Sequence, residues 1–166
     1  MLTDYQKILR ILNEGGVEFI LIGGVAANLH GSARATFDID FVYSRTRKNV
    51  KQVAQALAPY KPYLRGAPVG LPFTFDEATI RNGLNFTLHT SLGDIDLLGE
   101  VAGGGSYEQL LPFTIQIEAF GTRCRCITLE RLIQLKRAAG RPKDLESVAE
   151  LQALLEQRDK QSPPGG

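Results

Sequence analysis

The chain has 166 residues, 43% of them hydrophobic and 22% charged, which is the size and composition of one compact domain with a buried core. Its 19 basic and 18 acidic side chains nearly cancel, which excludes a strong overall field for nucleic acid or an anionic membrane. No apolar run approaches the ~20 residues that cross a bilayer, and the N-terminus lacks a signal-peptide pattern. We therefore expect a cytoplasmic protein without a membrane segment.

The first third of the chain alternates helices and strands. Apolar residues at helical spacing predict a helix over residues 3–14. The β-branched and apolar run over 17–24 ends in Gly23 and Gly24, which predicts a buried strand followed at once by a short helix. A second strand is predicted over residues 36–43, where apolar residues alternate with two aspartates.

The later segments combine strands, loops and helices. A helix is predicted over residues 46–57, and four prolines within residues 59–76 indicate an irregular surface connection. The same signals then predict, in order, a strand pair over 83–99, a mobile glycine-rich loop that runs into a short helical stretch within 101–111, a hairpin over 113–129, and two helices over 128–139 and 143–157.

The second predicted strand carries Asp38 and Asp40 in an otherwise apolar run. Side chains two apart on a strand lie on one face, with Cα atoms roughly 6.5 to 7 Å apart. Two carboxylates so close repel unless a cation lies between them. On this motif alone, both acids could instead face solvent from an edge strand, with Phe37, Ile39 and Phe41 turned inward.

A second acid pair, Asp94 and Asp96, repeats the pattern in a later predicted strand. If the two strands are neighbours in the sheet, their acids converge. Three convergent carboxylates form an oxygen site suited to Mg²⁺ or Mn²⁺. Two such ions stabilise the attacking and leaving oxygens of an in-line phosphoryl displacement.

The glycine pair lies upstream of these acids, at a strand-to-helix junction. Small residues there let a phosphate approach the backbone N–H groups of a helix N-terminus, although Gly23 and Gly24 could also form a simple tight turn. The order of glycine junction, short helix and acid-bearing strand favours the phosphate interpretation, because it places a phosphate site beside metal ligands.

These motifs carry a family resemblance. Residues 21–43 resemble the signature of the nucleotidyltransferase superfamily, which includes polymerase beta and kanamycin nucleotidyltransferase. Bacterial stand-alone nucleotidyltransferases, among them toxins of type IV toxin-antitoxin and abortive-infection systems, have a motif similar to Arg34-x-Thr36-x-Asp38-x-Asp40. Residues 129–151 also resemble their C-terminal helices, in which a Lys is followed by an Arg-x-Lys-Asp segment.

The resemblance implies roles for individual residues. Gly23 and Gly24 would hold the nucleotide's phosphates, and Asp38 and Asp40 would bind the metal ions. A third acid would act as a base or second-metal ligand, and the family's hydrophobic-acid-hydrophobic pattern favours Asp96, with Asp94 in reserve.

Basic and hydroxyl side chains would complete nucleotide binding. Ser32, Arg34, Lys136 and Lys143 are the predicted contacts, with Arg141 as a further cation. Alternatives remain open for each: Ser32 could cap a turn, Lys136 could be a surface lysine, and the segment around Arg141 and Lys143 could form a local network with Asp144.

The expected fold is therefore α/β (α+β), the nucleotidyltransferase fold, with a mixed, mostly antiparallel sheet flanked by helices. We expect one domain over residues 1–158 and a flexible tail over 159–166. The expected reaction moves a nucleoside monophosphate from a nucleoside triphosphate such as ATP to an acceptor hydroxyl, releasing pyrophosphate.

Mg²⁺ or Mn²⁺ would be the cofactor of this reaction. The acceptor could be RNA such as tRNA, a protein or a small molecule, and a toxin would have a cognate antitoxin as partner. Two alternatives remain: a toxin-like or sensing module that binds nucleotide without transferring it, and a metal-dependent nuclease or phosphatase.

Overall fold

The computed structural model describes residues 2–161, and its centre is a seven-stranded sheet. The strands of this sheet are β1 (Phe19–Ile22), β2 (Asp38–Tyr43), β3 (Tyr63–Leu64), β4 (Phe86–Thr90), β5 (Gly93–Leu98), β8 (Thr114–Ala119) and β9 (Thr122–Ile127). A separate small ribbon pairs β6 (Glu100–Val101) with β7 (Gly105–Ser106). The helices are α1 (Tyr5–Glu14), α2 (Gly23–Leu29), α3 (Arg47–Leu57), α4 (Glu77–Asn82), α5 (Tyr107–Leu110), α6 (Leu129–Ala139) and α7 (Pro142–Gln161).

The sheet is mixed, with the order β3-β4-β5-β2-β1-β9-β8. The pairs β2–β5 and β1–β9 are parallel, and every other neighbouring pair is antiparallel. The predicted mixed, mostly antiparallel sheet with flanking helices is thus confirmed. The decisive feature is the β2–β5 pair, because it brings together two strands that are far apart in the sequence.

The core explains why these segments fold as they do. All four residues of β1 are buried, as its uninterrupted apolar run predicts for a strand covered on both faces. Helix α1 buries Ile8, Leu9 and Leu12, which recur at helical spacing on one face. Helix α2 packs on β1 and β2, and α6 packs on both α2 and α7. No helix within residues 2–161 is long and apolar enough to cross a membrane.

Two segments differ from the sequence-based expectation. The proline-rich stretch 59–76, predicted as an irregular connection, contains β3, which pairs with β4 at the edge of the sheet. Within residues 101–111, the predicted mobile loop instead closes the β6–β7 ribbon, whereas the predicted short helical stretch is present as α5. Strands of two residues are too short to show a period of two, which is why the pattern missed them.

Smaller differences concern helix ends and one missed helix. Helix α2 begins at Gly23 itself, two residues earlier than expected. Helix α4 was not predicted; Asp76 caps it by accepting a hydrogen bond from the Thr79 N–H. Helix α7 continues to Gln161, so residues 159–161 of the expected tail are helical, and 162–166 lie outside the described residues.

Candidate active site

The two acid pairs meet on neighbouring parallel strands. Asp38 lies opposite Asp94, and Asp40 lies opposite Asp96, in the register of β2 and β5. The residues between the acids, Ile39 on β2 and Ile95 on β5, are fully buried. Alternation along each strand therefore turns all four carboxylates to the same face, opposite these isoleucines. Phe37, which could have faced inward, is instead 73% exposed.

Three of these acids form a compact cluster. One carboxylate oxygen from each of Asp38, Asp40 and Asp96 lies within 4.8 Å of the others. Burial, followed by the negative charges of Asp38 and Asp96, raises the pKa of Asp40 to about 8. Burial and the charge of Asp96 also raise the pKa of Asp38, although Arg65 partly opposes this. The cluster thus carries more negative charge than its neighbours neutralise.

The glycine junction lies directly against this cluster. Gly23 has φ +70°, and a Cβ built on it would lie 2.1 Å from Oδ2 of Asp40. A Cβ on Gly24 would lie 2.6 Å from Oγ1 of Thr36. The first two residues of α2 must therefore be glycine for the acid-bearing strand to approach so closely. Their predicted contact with phosphates remains a prediction.

Arg65 is a site residue that sequence analysis did not identify. It follows β3, and its guanidinium lies 3.1 Å from Asp96 Oδ1, 3.4 Å from Asp94 Oδ2 and 3.9 Å from Asp38 Oδ2. Nothing in the sequence marks it, because it follows a two-residue strand in a proline-rich segment. Only the pairing of β3 with β4, next to β5, brings Arg65 to the acids.

Asp94 lies beside the cluster but has its own partners. His89 Nδ1 lies 2.7 Å from Asp94 Oδ1, and Arg65 contacts its other oxygen. Asp40 Oδ1 and Asp96 Oδ1, in contrast, are buried and have no hydrogen-bond partner. The geometry therefore groups Asp96, rather than Asp94, with Asp38 and Asp40.

Lys136 and Asp144 connect the C-terminal helices to the acids. Lys136 is largely buried on α6, and its Nζ lies 3.7 Å from Oδ1 of Asp144, whose side chain is 1% exposed. Its positive charge also lowers the pKa of nearby Asp40, against the larger effects that raise it. Arg141 donates to Asp144 through Nε at 2.6 Å, so the local network that the sequence left open is present.

Ser32 and Arg34 lie nearby but already have acidic partners. Ser32 Oγ donates to Glu150 at 2.5 Å, and Arg34 lies 3.5 Å from Glu146 and 3.9 Å from Glu150. The backbone N–H of Ala33 donates to the second oxygen of Glu150 at 3.3 Å. This segment thus binds a carboxylate of α7, and its binding to a nucleotide remains a prediction.

Two clefts meet at the acid cluster. The first, of about 240 Å³, is lined by four basic residues, Arg34, Lys136, Arg141 and Lys143. The second, of about 320 Å³, has a largely apolar wall that includes Leu98, Val101, Leu132 and Leu135. Asp40 and Asp96 line both clefts, so a ligand in either one can reach the same carboxylates.

The donor set fits a hard divalent cation. Three carboxylates supply oxygen ligands, which Mg²⁺ and Mn²⁺ prefer. Asp40 Oδ1 has no hydrogen-bond partner, and the raised pKa of Asp40 reflects negative charge that the nearby cations do not neutralise. Asp38, Asp40 and Asp96 are the residues that could hold such an ion.

No protein-family model matches the chain, and no curated protein matches its sequence. The structure nevertheless has the nucleotidyltransferase fold, as comparison with solved structures shows. The lincosamide antibiotic adenylyltransferase LnuA, solved with lincomycin bound, superposes with a TM-score of 0.59 at 17% identity, over 92% of this chain and 98% of its own. Protein TM1012 of Thermotoga maritima, classed provisionally as a nucleotidyltransferase, superposes with a TM-score of 0.56 at 14% identity, over 89% of each chain. At these identities the likeness establishes the fold.

Proposed function

We propose that this protein is a Mg²⁺-dependent nucleotidyltransferase that moves a nucleoside monophosphate from a nucleoside triphosphate, such as ATP, to an acceptor hydroxyl. The observation that carries the proposal is the convergence of Asp38, Asp40 and Asp96 beside a glycine junction. The fold supports it, because LnuA, which shares it, is an adenylyltransferase. The acceptor oxygen bonds to the α-phosphorus, the bond from that phosphorus to the bridging oxygen breaks, and pyrophosphate leaves.

The acids would have two tasks in this reaction. Asp38, Asp40 and Asp96 would hold Mg²⁺, which when bound supplies charge that stabilises the transferring phosphoryl group. Asp96 lines both clefts, so its carboxylate can also take the proton of an acceptor hydroxyl. Lys136 Nζ, 3.7 Å from Asp144, is a nearby cation that lowers the pKa of Asp40.

The nucleotide would occupy the basic cleft. A triphosphate is strongly anionic, and Arg34, Lys136, Arg141 and Lys143 line this cleft. Gly24 also lines it at the start of α2. Arg34 and Ser32 would exchange their contacts with Glu150 for contacts with the nucleotide.

The acceptor would occupy the second cleft, and we propose a small molecule that carries a hydroxyl. The cleft volume of about 320 Å³ is at the lower end of the range for small-molecule sites. Its apolar wall suits a partly apolar molecule, whereas Asn85 and Glu100 offer polar contacts at its edge. A charged polymer has less to bind here, since Arg34 and Lys143 line only the other cleft, although Lys136 and Arg141 line both.

A transfer assay tests this proposal. The purified protein is incubated with Mg²⁺, ATP labelled at the α-phosphate and a cell extract divided into small-molecule, RNA and protein fractions. We expect label in the small-molecule fraction, with equimolar pyrophosphate, and none with Asp40→Asn. Label on tRNA or on a protein would replace the proposed acceptor and would support the toxin interpretation, in which a cognate antitoxin suppresses labelling.

The transfer assay, together with calorimetry, separates the two alternative activities. Calorimetric binding of ATP and Mg²⁺ without label on any acceptor would indicate a binding module. Release of nucleotides or phosphate from a substrate without consumption of a triphosphate would indicate a nuclease or phosphatase. Either result would contradict the proposed transfer.

A further inference from the structure

The guanidinium of Arg65 is held in place by the sheet. The backbone N–H of Arg65 donates to the Thr87 carbonyl at 2.9 Å, and Nη2 donates to the Leu88 carbonyl at 2.8 Å. Both acceptors belong to β4, which is the antiparallel neighbour of acid-bearing β5. The side chain is only 28% exposed. Arg65 is thus a fixed cation, unlike a surface arginine that exchanges partners in solvent.

Its contacts with the acids are mainly electrostatic. The guanidinium lies within 3.1 to 3.9 Å of Asp38, Asp94 and Asp96. Its Nε is buried and makes no hydrogen bond. A cation that touches three carboxylates but bonds chiefly to a backbone carbonyl neutralises charge without depending on any single acid for its position.

Asp94 is separated from the cluster by the same arrangement. His89 holds one oxygen of Asp94 at 2.7 Å and Arg65 lies 3.4 Å from the other. The cluster of three acids faces Arg65 on one side through Asp38 and Asp96. On the other side, Lys136 of α6 acts on Asp40. Two fixed cations thus border an acid cluster that is still short of positive charge.

We propose that Arg65 occupies the position of a second divalent ion, so that the nucleotide-free acid site holds one ion and not two. This inference rests on the metal site of the proposed function. When ionised, the four acids and Asp144 carry five negative charges, and one divalent ion together with three basic residues, Arg65, Lys136 and Arg141, supplies five positive charges. A second divalent ion would need oxygens of Asp38 or Asp96 that face Arg65, and repulsion by the guanidinium opposes it.

Counting bound Mn²⁺ tests this inference directly. The full-length protein is stripped with a chelator, and Mn²⁺ is titrated at pH 8 without nucleotide, with free ions counted by electron paramagnetic resonance. We expect one tightly bound ion in the wild type and two in Arg65→Gln, with the first ion bound about tenfold more tightly because a nearby positive charge is gone. Arg65→Lys keeps the charge and should bind one ion. Arg10→Gln, an exposed arginine of α1, is the matched control and should also bind one.

The outcomes are distinct from those of the transfer assay. Two ions in the wild type, or one in a folded Arg65→Gln, would overturn the inference. Thermal melting checks that each variant folds. If Arg65→Gln does not fold, the number of Mn²⁺ ions bound to the wild type still tests the inference, because two coupled ions have a Mn²⁺ spectrum that differs from that of one ion. One ion with no nucleotide transfer would contradict the proposed function and leave the role of Arg65 supported. No bound Mn²⁺ in the wild type would overturn the metal site and with it this inference.

Discussion

The strands β2 and β5 carry the same three-residue pattern, Asp-Ile-Asp, at positions 38–40 and 94–96, side by side and in register. Their environments differ. Both acids of β5 have cationic partners, because Arg65 contacts Asp94 and Asp96 and His89 contacts Asp94, although Asp96 Oδ1 makes no hydrogen bond. On β2, Asp40 is buried, one of its oxygens lacks a partner, and its pKa rises to about 8.

Neighbouring strands explain this difference. Strand β5 has β4 on its free side, which contributes His89 and fixes Arg65 through the carbonyl of Leu88. Strand β2 has β1 on its other side, where apolar Ile22 pairs with Asp40 and Gly23 closes over the carboxylate. Both acids of β5 are thus supplied with cations by the fold, whereas on β2 Arg65 lies 3.9 Å from Asp38, and Asp40 requires a cation from solution. The same sequence pattern acquires a different chemical role from the strand that pairs with it.

The largest expected effect is the loss of a cluster acid. Asp40→Asn should lower nucleotide transfer by about a thousandfold, because the metal-bound charge contributes several kcal/mol to the transition state. Asp94→Asn, the register-equivalent change beside Asp38, should lower it by less than tenfold, since a partly exposed ion pair is worth about 1 kcal/mol or less. The measurement is the rate of labelled transfer at saturating ATP and Mg²⁺.

Equal losses in these two variants would contradict the assignment of Asp40 to the acid cluster and of Asp94 to a supporting ion pair. Asp96→Asn serves as the second comparison, because Asp96 lies two residues from Asp94 on the same strand but belongs to the acid cluster. Its loss of transfer should resemble that of Asp40→Asn.

Much of the fold could be predicted from local patterns. The buried run of β1 and the alternation in β2 and β5 each specify their element through side-chain burial, which adjacent residues determine. The acid cluster followed from the same alternation, once the two strands were taken as neighbours. Local periodicity does not predict which distant strands pair. The expectation that β2 and β5 are neighbours came from the repeated pattern and the family resemblance.

The remaining site residues depend on pairing that no local pattern encodes. Arg65 reaches the acids only because β3, a two-residue strand, pairs with β4 at the sheet edge. Glu150 meets Ser32 because α7 packs on α6, which itself packs on α2. These contacts arise from tertiary packing, where a single charged residue leaves no periodic signal.

The next largest effect tests the close approach of α2 to β2. Gly23→Ala should lower the free energy of unfolding by about 2 to 4 kcal/mol and displace Asp40, because φ is +70° and the new Cβ would lie 2.1 Å from its carboxylate. Gly121→Ala is the matched control. It has φ +78° but no atom nearer than 3.9 Å to a Cβ, and should cost only about 1 kcal/mol. Denaturant titration of both variants measures the difference, and equal losses would contradict a steric requirement at Gly23.

A smaller effect concerns pH in the metal-free protein. The pKa of Asp40 is raised from 3.8 to about 8 on folding, so the native state binds a proton that the unfolded state releases. Stability is therefore greatest at low pH with respect to this group and falls as pH rises from about 4 to about 8. We expect the melting temperature in excess chelator to fall across that window more steeply in the wild type than in Asp40→Asn. Asp94→Asn should keep the wild-type slope, and a flat wild-type curve would contradict the charge deficit on β2.

The smallest expected effect lies on β4, which supplies partners to β5. The His89 side chain is 53% exposed, and a pair so accessible to water contributes about 1 kcal/mol or less. His89→Ala should therefore lower transfer by less than about fivefold. Arg65 remains bound to the Leu88 carbonyl without the histidine, so the charge on β5 stays neutralised. The number of bound Mn²⁺ ions should remain one. A loss of transfer comparable with that of Asp40→Asn would show that the partners of Asp94 matter as much as the acids of the cluster, and the two strands would then differ in geometry but not in function.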